Sequence, residues 1–103
     1  MAAVMLLAGI GVFGSDAQAA VDYQSCTIGY GTGSVTINKP SDTAAGNVLV
    51  AGIVAHGWTS VSVGAPSGWV LINSAGIRIP DTDINVLLRT YYKVAGTDEP
   101  SSY

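Results

Sequence analysis

The chain has 103 residues, enough for one small domain, and a formal net charge of −3. Its basic residues, Lys39, Arg78, Arg89 and Lys93, are scattered, which excludes a basic patch for nucleic acid and a basic amphipathic helix for a membrane surface. The lone cysteine, Cys26, excludes an internal disulfide and a multi-cysteine zinc site. Val, Ile, Thr and Ser are common and Glu99 is the only glutamate, a balance that favours strands over helices.

Residues 2–13 are an apolar run interrupted by Gly9 and Gly11. The run is shorter than the roughly 20 residues a membrane helix needs. It leads through Gly14-Ser15-Asp16 to Ala17-Gln18-Ala19, the small-x-small pattern of a secretory cleavage site. Residues 1–19 are therefore expected to be a signal peptide, with Ala20 as the mature N-terminus and no stable membrane span afterwards. No Lys or Arg precedes the run, which departs from the usual positive n-region and points to a start upstream of Met1. The competing use, a buried helix of a cytosolic domain, is disfavoured by Gly9, Gly11 and Gly14. Cys26 follows Tyr-Gln-Ser, unlike a lipoprotein signal.

Residues 20–33 read as an irregular, glycine-rich lead-in holding a short edge strand at 23–28. Gly29-Tyr30-Gly31 precedes a strand, not a helix, so it reads as a flexible turn and not a phosphate cradle. Residues 34–38 alternate, Val35 and Ile37 against Ser34, Thr36 and Asn38, as a half-buried strand does. Lys39-Pro40-Ser41-Asp42 stops it, and a loop follows. Residues 48–55 are apolar on both faces and read as a central strand buried on both sides. Ala51, Gly52 and Ala55 leave room there for Trp58 or Trp69.

After a turn at His56-Gly57-Trp58, residues 59–63 alternate again. Gly64-Ala65-Pro66-Ser67-Gly68 is the strongest turn signal, with Pro66 fitting the first central position of a type I turn. Residues 69–73 form the next strand, 74–83 a loop, and 84–94 the longest strand. On that strand Val86, Leu88, Thr90 and Tyr92 share one face. Leu87, Arg89, Tyr91 and Lys93 share the other, which should meet solvent at its outer end. Glu99-Pro100-Ser101-Ser102-Tyr103 resembles the lead-in to a strand that is absent. The turn-marked spacing of short strands is that of an antiparallel β-sandwich, incomplete at its C-terminus.

Four stretches carry a family resemblance. They are Ser34-Val35-Thr36-Ile37-Asn38-Lys39-Pro40, Thr43-Ala44-Ala45-Gly46-Asn47-Val48-Leu49-Val50-Ala51, Pro66-Ser67-Gly68-Trp69, and the run from Tyr91-Tyr92-Lys93-Val94-Ala95-Gly96 to Tyr103. In this order they resemble a jelly-roll-like β module of large bacterial secreted and cell-surface proteins, MSHA-pilus-associated and adhesin-like proteins among them, and of some phage tail-fibre proteins. The resemblance spans residues 34–103. It implies an extracellular structural or adhesive role, as part of a larger polypeptide that continues past Tyr103, and it carries no catalytic residues.

The residues themselves offer three site candidates. His56 could be combined with Ser60 or Ser67 and Asp81 or Asp83, but no nucleophile elbow accompanies them, and a turn histidine is the better reading. Asp81 and Asp83 at a loop tip could chelate calcium, aided by carbonyls and Asn85; the competing use is a solvated loop. Trp58, Tyr91 and Tyr92 could form a stacking platform for sugar. Core packing is the rival use of these rings, and Trp69 is assigned to the core. The expectation is thus a non-enzymatic, exported β-sandwich module, with residues 1–19 as signal, 20–33 as lead-in and 34–103 as a truncated module. Its partners would be the rest of a larger polypeptide, an extracellular glycan or other surface proteins. The alternatives are a carbohydrate-binding module and an accessory domain of a secreted enzyme.

Overall fold

The structure, a computed structural model, describes residues 2–11, 21–58 and 60–103, with residues 2–11 and 21 as main chain only. Its strands are β1 (Ala2–Gly11), β2 (Val21–Gly31), β3 (Val48–Gly57), β4 (Val70–Arg78) and β5 (Asn85–Val94). They form one antiparallel sheet in the order β2-β1-β3-β5-β4. The all-β, antiparallel expectation is met. The described residues make a single sheet, so the second layer of a sandwich is not among them.

The apolar run expected to be a signal segment supplies β1, which pairs with β2 on one side and β3 on the other. Glycine disfavours a helix here, and β3 carries a full row of main-chain donors and acceptors that an apolar strand can satisfy. The expected cleavage point after Ala19 lies outside the described residues.

Most of the expected irregular lead-in at 20–33 is regular, because Val21–Gly31 is a continuous strand. Its glycines mark close approach, not flexibility. A Cβ on Gly31 would lie 2.1 Å from the Ser34 carbonyl oxygen, and one on Gly29 would lie 3.0 Å from both Ile37 and the Thr36 carbonyl oxygen. Only glycine lets the following segment fold back so tightly against β2.

That segment, 34–38, is extended but stands outside the sheet. It pairs instead with the end of the chain. Ile37 N–H donates to the Tyr103 carbonyl at 2.8 Å, Tyr103 N–H donates back at 2.9 Å, and Lys39 N–H donates to the Ser101 carbonyl at 2.8 Å. Glu99-Pro100-Ser101-Ser102-Tyr103 therefore has a partner within the chain and is not merely a lead-in to one. Of the expected strand at 59–63, residues 60–63 are irregular, and residue 59 lies outside the described residues.

Two turns are set by left-handed backbone. In Pro66-Ser67-Gly68-Trp69 the Trp69 N–H donates to the Pro66 carbonyl at 3.4 Å, and Gly68 has φ +89°. Pro66 thus opens the turn instead of occupying its first central position, and Gly68 supplies the positive φ that a type II turn requires. In Ile79-Pro80-Asp81-Thr82, between β4 and β5, Pro80 takes the first central position and Asp81 the second, with φ +61°. The long loop expected at 74–83 shrinks accordingly, because β4 runs on to Arg78.

The core lies on one side of the sheet. Ile37, Leu49, Ala51 and Ala95 form it, with Val35, Ile53, Trp69 and Tyr103 packed around them. The Trp69 and Tyr103 rings meet edge to face at 5.2 Å. Trp69 joins the core as expected. β3 is central, but it is not buried on both faces: Leu49, Ala51 and Ala55 are buried, whereas Val48 and Val54 on the opposite side are exposed.

Candidate interaction surface

Strand alternation divides the sheet into two faces of unlike chemistry. The first carries Leu49, Ala51, Ile53 and Ala55 of β3, and Leu87, Arg89, Tyr91 and Lys93 of β5, which lie opposite one another in register. This mixed face is the covered one. Residues 34–47, 60–69 and 96–103 lie over it and meet most of its polar groups. The Arg89 guanidinium and the Tyr91 hydroxyl both donate to the Val63 carbonyl, the latter at 3.2 Å. Lys93 Nζ donates to Glu99 Oε2 at 2.8 Å, Gly96 N–H donates to Glu99 Oε1 at 2.7 Å, and the Tyr103 hydroxyl donates to Glu99 Oε2.

The Glu99 side chain is only 6% exposed. Burial by itself would raise its carboxyl; the Gly96 N–H, the Lys93 ammonium and the Tyr103 hydroxyl outweigh burial and bring it down to about 2. Burial and the same carboxylate hold the Tyr103 hydroxyl well above the usual range. This cluster clamps the end of the chain over the core.

Between the covered face and residues 60–66 runs a groove of about 570 Å³, lined by Ile53, Ala55, Val61, Pro66, Trp69 and Tyr91 among others. The indole N–H of Trp69 and Nε of Arg89 are buried without a hydrogen-bond partner.

The second face is mainly apolar and bare. Its cross-strand rows follow from the register: Cys26–Leu7–Val50–Tyr92–Val70, then Ile28–Met5–Gly52–Thr90–Asn73, then Tyr30–Ala3–Val54–Leu88–Ala75, then His56–Val86–Ile77, so Thr90, Asn73 and His56 are its polar members. Val54 is 41% exposed, Leu88 42% and Ile77 69%. Tyr23, Ile28, Tyr30, Val48, Val70, Tyr92 and Val94 are exposed too. A Cβ added to Gly52, in the middle of this face, would meet nothing within 4 Å. On β5 the mixed face, expected to meet solvent at its outer end, is covered at Tyr91, and the Leu88 face meets solvent. The cause is that the chain's own loops carry the carbonyls and the carboxylate that the mixed face needs, and they pack there.

The candidate sugar platform is dispersed. Trp58 is 73% exposed beyond the end of β3, Tyr91 is 5% exposed beneath the loops, and Tyr92 is on the opposite face. Adjacent strand residues cannot share a face, so these rings do not stack one ligand together. Asp81 and Asp83 stay close on the β4–β5 turn, where Arg78 Nη2 lies 3.4 Å from Asp83 Oδ1. That exposed ion pair is a competing use of the Asp83 carboxylate. Among the described residues no group of three or more His, Cys, Asp or Glu converges as a metal site would require. His56 makes no hydrogen bond with Ser60, Ser67, Asp81 or Asp83 among the described residues. Cys26 is a free, exposed thiol. Sequence reasoning missed the bare face as a whole. Its signal was present in the alternation of 84–94, which sets Val86, Leu88 and Tyr92 against Leu87, Arg89, Tyr91 and Lys93.

Among the described residues no helix is long and apolar enough to cross a membrane. Comparison with protein families, with curated proteins and with solved structures finds no match.

Proposed function

We propose that the chain is a non-enzymatic structural or adhesive β module, exported to the cell surface or the medium, that contributes one layer of a β-sandwich. One observation carries the reading: the sheet covers its polar face with its own loops and leaves its apolar face open across the strands. A monomer that works alone in water gains nothing from that arrangement, whereas a layer awaiting a second layer requires it. The dispersal of the histidine, serines and carboxylates supports a structural role over a catalytic one.

Export by cleavage after Ala19 would remove β1. The β3-β5-β4 ladders would survive, and β2 would lose its one ladder partner among the described strands. The module proposed here therefore keeps β1 in the sheet.

Fractionation of cells producing the full chain tests the proposal. The chain should be recovered outside the cytoplasm, with residues 2–11 present by intact mass. A soluble cytoplasmic protein would contradict it.

A further inference from the structure

We infer that the bare face is a self-association surface: a second copy of the chain lays the same face against it, and the two sheets close a sandwich. The inference rests on the reading of the chain as one sandwich layer, and it names what supplies the other.

Size supports it. Five strands about 4.8 Å apart and about nine residues long at about 3.3 Å each give a face of about 700 Å². Two such faces remove about 1,400 Å² from water, within the range of stable protein pairs.

Charge supports it as well. The described side chains of this face include no Asp, Glu, Lys or Arg, because Arg78, Arg89 and Lys93 fall on the opposite face by register and the described acidic residues lie in turns, the tail or the other face. Two copies can meet without opposing like charges, despite a net charge of −3 on each. Aligned packing of two twisted sheets at about 10 Å is a standard geometry, and a two-fold pair closes on itself.

Lipid is the weaker occupant. β2 and β4 are sheet edges with unpaired main-chain groups, which a bilayer core does not tolerate.

Light scattering on the full chain between about 1 and about 100 µM tests the inference. The expected mass is about 21 kDa, twice the 10.5 kDa of one chain. Val54→Lys with Leu88→Lys, a directly opposed pair on the bare face, should give 10.5 kDa with unchanged far-UV circular dichroism. Ser41→Lys, exposed elsewhere, should leave the pair intact. A wild-type monomer across the range, growth to open-ended oligomers, or a double variant that still pairs would each overturn it. So would a monomer that floats with phosphatidylcholine vesicles, which would give the face to lipid. A monomer recovered outside the cell overturns this inference alone, and a pair confined to the cytoplasm overturns only the proposed function.

Discussion

Replacing Glu99 with Gln tests the clamp that holds the chain's end over the core. The substitution keeps the size and removes the charge that faces the Lys93 ammonium, the Gly96 N–H and the Tyr103 hydroxyl. A carboxyl brought from 4.5 down to about 2 corresponds to about 3 kcal/mol at neutral pH. Screening near the surface of a small domain sets the expected loss at about 1–3 kcal/mol. Because the folded value is depressed, the stabilisation is complete above 4.5 and is lost as pH falls from about 4.5 to about 2. Urea unfolding at fixed protein concentration should show Glu99→Gln weaker than wild type at pH 7 and the two converging near pH 2. Equal midpoints at pH 7, or parallel loss of stability in both proteins below pH 4.5, would refute the reasoning.

Three further substitutions probe the backbone and the exposed ring. Gly31→Ala drives a Cβ to 2.1 Å from the Ser34 carbonyl oxygen and should cost more than about 2 kcal/mol in urea unfolding; a neutral result would show that residues 34–37 do not fold back on β2. Asp81→Gly relieves a side chain held at φ +61° and should raise stability by up to about 1 kcal/mol, read as a higher melting temperature; a lower one would contradict the turn geometry. Trp58→Ala, at a ring 73% exposed, should change stability by less than about 0.5 kcal/mol, and a loss several times larger would place that indole in a packed environment.

The strands around β3 were legible because period-two alternation and the Pro66-Ser67-Gly68 turn are local signals. β3 and β5 fall within one or two residues of expectation, and Trp69 sits in the core as its place after the turn suggests. What was not legible depends on distant partners. Gly29 and Gly31 read as flexible because nothing local announces that residues 34–37 pack on them. Residues 34–38 alternate as a sheet strand does, yet their partner is the tail, 64 residues on at the Asn38–Ser102 bridge. Which face of β5 is covered was not legible for the same reason. Polarity alone sends Arg89 and Lys93 to solvent, and only the three-dimensional placement of Val63 and Glu99 turns that face inward. In the candidate site, the alternation of Tyr91 with Tyr92 already separates the two rings.

Which face is open can be read directly with thiol chemistry. In a Cys26→Ser background, Leu88→Cys and Ala51→Cys place one thiol on each face of the sheet, at positions 42% and 7% exposed in the wild-type chain. At a concentration low enough to separate copies, maleimide should label the Leu88→Cys protein at the rate of a free thiol and the Ala51→Cys protein only as fast as the fold opens. The reverse order would mean that the apolar row points inward and that the account of the bare face is wrong.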